Sequence, residues 1–247
     1  MAAGEFVPLA DALAPTHTVV TYDPRGISAS IVDDPGQDST PELRADDVVA
    51  ILDTVGADSA DVFGSSGGAV TGLAMVARHP ERVRTLVAHE PPLLELLPDA
   101  DEQRAQIDVI IETFHTHGIG AAWMKFMANA GFDVSNAPAP PEKPSPQDIA
   151  NSTRFFDHEL RPTTRYIPDI SALTASPARV VVGIGVDSGN LVTYRTSTVL
   201  AGLLGAPPVE FPGDHGGFLG EPEKFAKRLT EVLAATASTT DIGREII

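Results

Sequence analysis

The 247-residue chain is strongly acidic, with a formal net charge of −17, and 43% of its residues are hydrophobic. That length and apolar content supply one sizeable core, enough for a single α/β domain with an insertion. The charge argues against nucleic acid or an anionic membrane as a partner, because their phosphates attract Lys and Arg, and the absence of Cys excludes disulfides, thiolate zinc sites and a Cys nucleophile. No apolar run is long enough to span a membrane, and the first residues lack the basic-then-apolar order of a signal peptide, so a soluble cytoplasmic protein is expected.

Residues 5–14 read as a short amphipathic helix. His17 to Tyr22, rich in β-branched residues, reads as a buried strand, followed by the turn Asp23-Pro24-Arg25-Gly26 and a polar loop to Ser39. Thr40-Pro41-Glu42 signals a helix start, Val48, Ile51, Leu52 and Val55 form its apolar face, and Gly56 stops it. Val62-Phe63 leads through Gly64-Ser65-Ser66-Gly67-Gly68 into a helix to Arg78. Val83 to Ala88 reads as a second buried strand. Residues 93–175 carry helical stretches around 102–114, 120–129, 147–159 and 164–173, with a proline-rich loop at 137–146 and no strand. Strands return at 179–184 and 209–211, with helices at 191–204 and 221–233 and a tail from Thr236 that is expected to fray. This alternation predicts an α/β fold: a predominantly parallel sheet flanked by helices, with residues 1–92 and 176–247 as the core and 93–175 as an inserted helical cap.

The turn at 64–68 carries chemistry. Ser66 has glycines two before and two after it, whereas Ser65 would need one at Phe63. A serine on such a strand–turn–helix sits exposed on a strained backbone, and the N–H of Gly67 at the helix start points where an oxyanion would form. The structural alternative is a plain glycine-rich strand–helix loop.

A serine nucleophile needs a base, and the base an orienting acid. Among seven histidines, His215 stands in a glycine-rich loop just past the last strand, at the edge of a parallel sheet where active sites gather. Asp187, directly after strand 179–184, is favoured as the acid from chain order; Glu90, at the end of strand 83–88, is its competitor, and Asp214 a weaker one. His115 and His117 are two apart and do not share a helix face, which argues against a metal site. Trp123, Met124, Phe126, Met127, Phe155 and Phe156 are candidates to line a pocket, or simply to pack the insertion.

The series Tyr22-Asp23-Pro24-Arg25-Gly26, Gly64-Ser65-Ser66-Gly67-Gly68, Asp187 and His215, over about residues 5–235, resembles the α/β-hydrolase family. The resemblance implies acyl transfer through a covalent serine intermediate. Ser66 would be nucleophile, His215 base, Asp187 its orienting acid and Gly67 an oxyanion donor, with no metal or organic cofactor and a small-molecule substrate. The insertion falls where that family places a cap.

Members of the family usually carry early strands, one of which lies between the strands matching 17–22 and 60–63 and ends in a loop that supplies a second oxyanion N–H. No such strand is readable here, so the fold is expected as a shortened version with a gap in its sheet. Either the chain is a shortened version of a longer protein, or 17–22 pairs directly with 60–63, or another chain supplies strands in a homo-oligomer. Gly26 or another N–H of the turn after strand 17–22 is a candidate second donor. Two functions follow: a serine hydrolase for a small to medium, largely apolar ester or related acyl compound, or a catalytically weak relative used for binding or assembly.

Overall fold

A computed structural model describes residues 2–135 and 144–235. Four parallel strands form its sheet: β1 (Ala60–Ser65), β2 (Val83–His89), β3 (Arg179–Gly185) and β4 (Val209–Phe211), in the order β1-β2-β3-β4. In-register pairing sets Ser65 beside His89 and His89 beside Gly183. The ladder runs one step further: Ser66 N–H donates to His89 O at 2.9 Å and Glu90 N–H to Gly183 O at 3.0 Å. The residues that follow β1 and β2 therefore emerge side by side at the C-terminal edge, where parallel sheets place their sites.

Helices cover both faces, as a parallel sheet requires. Helices α2 (Pro41–Val55), α3 (Gly67–Arg78) and α8 (Val192–Leu203) pack a core of Leu52, Val70, Leu73, Leu86, Val182 and Leu200. On the other face α1 (Val7–Leu13) and α9 (Pro222–Ala234), the latter through Phe225, close over Val87, Val181 and Phe211. Helix α2 begins and ends on its sequence signals: Thr40 Oγ1 accepts from Leu43 N–H at 3.3 Å, and Gly56 takes φ 72°. In the turn Tyr22–Gly26, Arg25 is tied to Asp47 of α2 by two bonds of 2.6 Å.

Residues 17–22 depart from expectation. They are extended but join no ladder, and Val20 is 47% exposed. Among the described residues β1 is hydrogen-bonded on one side only, to β2, so direct pairing of 17–22 with 60–63 does not occur. The β-branched run has strand propensity, but propensity is realised only against a partner backbone. A cleft separates it from β1, lined by Val19, Tyr22, Val62 and Phe63.

Between β2 and β3 the described residues hold helices only: α4 (Ala100–Ala130), α5 (Pro146–Arg154), α6 (Leu160–Thr164) and α7 (Ile170–Ala175). Helix α4 breaks at Gly118, where φ is 83°. Phe155–Glu159 is a wider π turn joining α5 to α6. The single helix expected over 164–173 is interrupted. Pro168 disfavours helical backbone at Ile167, and Asp169 starts α7 by accepting from Ala172 N–H at 3.0 Å. The insertion is stitched to the polar loop before α2: Asn151 Oδ1 accepts from Ser28 N–H at 2.8 Å, and Ser39 N–H donates to His158 O at 2.9 Å. Most of the proline-rich stretch, residues 136–143, and the tail from Thr236 lie outside the described residues.

Candidate active site

Ser66 occupies the sharp turn between β1 and α3 with φ 55° and ψ −122°, a conformation that costs about 1–3 kcal/mol for a residue with a Cβ. Its neighbours explain how the turn closes. A Cβ on Gly64 would stand 2.4 Å from Gly68 O, so strand and helix can cross only over a glycine. A Cβ on Gly68 would meet nothing within 4 Å, so there the glycine leaves space open above Ser66. Gly67 is the first residue of α3, and its N–H is one of that helix's unpaired donors. Ser65 is buried with its hydroxyl 3.2 Å from His89 Nδ1.

The acid beside His215 is Glu90. Glu90 is fully buried, and its Oε2 lies 2.7 Å from His215 Nδ1. The same oxygen accepts from Thr193 Oγ1 at 2.9 Å, while Oε1 accepts from Gly185 N–H at 2.9 Å. Burial alone would raise this carboxyl, but the hydrogen bonds, led by His215, outweigh it and hold the group at about 2. An ionised carboxylate can only accept, so Nδ1 carries the proton and Nε2 is left as the basic nitrogen. Glu90, like Ser66, has a positive φ, 50°, so backbone strain sits at both adjacent strand ends.

Asp187 does not fill the place assigned from chain order. Val186 N–H donates to Phe211 O and Asp187 N–H to Gly213 O, each at 3.0 Å. Those bonds hold the backbone against the end of β4 with Asp187 exposed, while Glu90 reaches across from β2 to the inner position. Nor does Asp187 cap α8, whose cap residue is Leu191. Asp214 is occupied within its own loop, accepting from Gly216 N–H at 2.8 Å. That loop closes tightly: a Cβ on Gly217 would stand 1.9 Å from Pro212 O. Gly26 packs on the side chain of Arg154 and is not among the residues lining the cavity, so it offers no oxyanion donor there.

His89 is fully buried behind this pair, with its ring 6.2 Å from that of His215. Burial pushes it down to about 4, with His215 adding in the same direction against Glu90 and Asp214. His89 is therefore neutral at pH 7 and places no positive charge beside His215.

Ser66, Gly67 and His215 face one cavity of about 1440 Å³. Trp123, Phe126, Met127 and Phe155 of the insertion line it, with Pro92 and Leu94 after β2. Of the other aromatic and Met candidates, Phe156 is fully buried in the insertion's own core and Met124 is 37% exposed. Tyr22, Arg44, Glu159 and Thr163 are among the polar lining residues that the sequence reading did not assign to the pocket. For Arg44 a signal existed. It stands one turn before Val48 on the apolar stripe of α2, a position that points inward. No group of three or more His, Asp or Glu among the described residues could hold a metal ion, and no helix among them is long and apolar enough to cross a membrane.

A family model described as alpha/beta hydrolase fold matches residues 2–114. The chain is 34% identical over 236 residues to the uncharacterized hydrolase YraK of Bacillus subtilis, covering 94% of this chain and 84% of that protein. It is 27% identical over 225 residues to the zearalenone hydrolase of Cladophialophora bantiana, covering 86% and 77%. Among solved structures, a thermophilic esterase from Thermogutta terrifontis superposes with a TM-score of 0.73 at 19% identity, over 95% of this chain and 86% of that one. The enol-lactonase of Burkholderia xenovorans LB400 gives 0.68 at 19% identity, over 94% and 87%. The identity to YraK across most of both chains, on a sheet that carries Ser66 at its strained strand–helix turn, shows that this chain belongs to the alpha/beta hydrolase fold family of enzymes.

Proposed function

We propose that the protein is a serine hydrolase acting on a small to medium, largely apolar ester or lactone, with Ser66, His215 and Glu90 as its catalytic triad. Ser66 Oγ attacks the carbonyl carbon while His215 Nε2 takes the hydroxyl proton. The C=O electron pair moves onto oxygen, which faces the N–H of Gly67. Collapse of this intermediate breaks the ester C–O bond, and His215 returns the proton to the leaving alcohol. Water then attacks the acyl-serine with His215 again as base, releasing the acid and restoring Ser66. Glu90 stays ionised throughout, holding the Nδ1 proton and stabilising the imidazolium. Every step balances without a cofactor.

The observation that carries this reading is the buried Glu90 carboxylate 2.7 Å from His215 Nδ1, in a cavity shared with Ser66. The apolar lining from Trp123, Phe126 and Phe155 favours an apolar acyl or alcohol part. The names of a zearalenone hydrolase and an enol-lactonase among the similar proteins favour a lactone or enol ester.

The outer edge of β1, which no other described residue pairs in the sheet, favours a second reading, in which the chain assembles by strand addition and catalyses little. One experiment separates the two. A fluorophosphonate probe, which captures activated serines, is expected to label the folded protein at Ser66, to label Ser65→Ala, and to leave Ser66→Ala unlabelled. A folded protein that stays unlabelled, or one labelled at Ser65, would overturn the hydrolase reading.

A further inference from the structure

The cavity has a charged pole that the triad does not use. Arg44 enters it from α2 and is only 7% exposed. Its Nη2 donates to Thr163 Oγ1 at 2.8 Å, and its Nε has no partner. Its Nη1 stands 3.6 Å from where a Cβ of Gly67 would be, so the guanidinium flanks the residue next to the nucleophile. Glu159, also 7% exposed and lining the cavity, is the nearest opposing charge, yet its Oε1 is itself unpartnered. A second buried guanidinium, Arg154, 6% exposed, does not line the cavity. It donates only to neutral acceptors: Pro35 O at 3.0 Å, Gln37 O at 2.6 Å and Ser39 Oγ at 2.6 Å.

Glu159 and Glu42 act on Arg44, and Glu159, Asp38 and Asp34 on Arg154, but neither guanidinium is hydrogen-bonded to a carboxylate. A buried charge without a hydrogen-bonded counter-charge is strongly unfavourable, and proteins keep one where something else completes it. Burial pushes the Arg44 guanidinium below its ordinary range, yet an arginine stays charged. A carboxylate is its natural complement, because two parallel N–H···O bonds match the fork of the guanidinium.

We propose that Arg44 anchors a carboxylate of the substrate, so that the enzyme prefers esters or lactones carrying a free carboxylate a few atoms from the scissile carbonyl. This deepens the hydrolase reading and rests on it for the word substrate. The apolar wall of Trp123 and Phe126 takes the rest of the molecule, and Thr163 keeps the guanidinium facing the cavity rather than collapsed on Glu159.

The test has two arms. In the first, glutarate is titrated calorimetrically into Ser66→Ala, which needs no catalysis. Binding is expected, at least tenfold weaker when Arg44→Met is added and partly retained with Arg44→Lys. In the second, kcat/KM is compared for mono-p-nitrophenyl glutarate and the neutral p-nitrophenyl butyrate. The ratio between the two substrates is expected to fall at least tenfold in Arg44→Met, mainly through KM, and less in Arg44→Lys. Thermal melts confirm that each variant folds. No glutarate binding, or equal losses on both esters, would overturn the proposal. Arg44-dependent glutarate binding in a wild-type protein that hydrolyses neither ester would instead overturn the hydrolase reading and leave the carboxylate site standing.

Discussion

Glu90→Gln is expected to lower kcat for p-nitrophenyl butyrate by roughly 10³–10⁴, while Asp187→Asn changes it less than about threefold. The amide keeps the size of the side chain but can present a donor to His215 Nδ1. It then favours the tautomer with the proton on Nε2, where the base is needed. It also removes the negative charge that offsets the imidazolium during attack. Asp187 is exposed and is held only through its backbone, so its carboxylate acts on His215 weakly and through solvent. Glu90 Oε1 also accepts the Gly185 N–H, so the fold of Glu90→Gln is checked by its melting temperature before rates are compared. A large loss in Asp187→Asn with little change in Glu90→Gln would return the acid's role to Asp187.

The second large effect concerns acid stability. His89 sits at about 4 in the folded protein against an ordinary 6.5. Between those values the unfolded chain binds a proton that the folded chain refuses, so stability rises with pH across the window. It is complete above about pH 6.5 and is lost as pH falls toward 4. The fall from 6.5 to about 4 corresponds to roughly 3 kcal/mol. Glu90, held at about 2, acts in the same direction but in the lower window from about 4.5 down to 2. Chemical denaturation at pH 7 and pH 5 therefore separates His89 from Glu90, and comparison with a variant separates it from the other histidines. His89→Phe, whose ring suits the surrounding Phe63, Phe211 and Phe225, is expected to lose markedly less stability over that interval than the wild type. An equal loss in both proteins would show that His89 does not titrate in the way its burial demands.

The fold was legible wherever a local signal and its packing partner both lie in the chain. Helix α2 carries its cap, its apolar stripe and its terminating glycine, and it forms between those signals. Strands β2 and β3 carry the apolar stretches Leu86-Val87-Ala88 and Val180-Val181-Val182, and both are largely buried. Residues 17–22 look equally strand-like but find no hydrogen-bonding neighbour, which is a property of the sheet and not of the segment.

At the site, the turn that carries Ser66 and the loop that carries His215 were readable because glycine patterns mark them. The carboxylate that meets His215 was not. Both Asp187 and Glu90 fall between Ser66 and His215 in the chain, so order alone does not choose between them. What decides is three-dimensional. The register of β2 on β3 brings Glu90 beside Gly185, and the glutamate's extra methylene lets it cross to His215. Arg44 did carry a signal, a charge on the apolar stripe of α2, but only the fold brings it to Thr163 and beside Gly67.

The arrangement stands or falls on the bond between Glu90 and His215. Proton NMR of ¹⁵N-histidine-labelled protein observes the His215 Nδ1–H directly. A downfield imidazole N–H resonance is expected in the wild type and in Asp187→Asn, and its loss in Glu90→Gln. A resonance that survives in Glu90→Gln and vanishes in Asp187→Asn would contradict the triad described above.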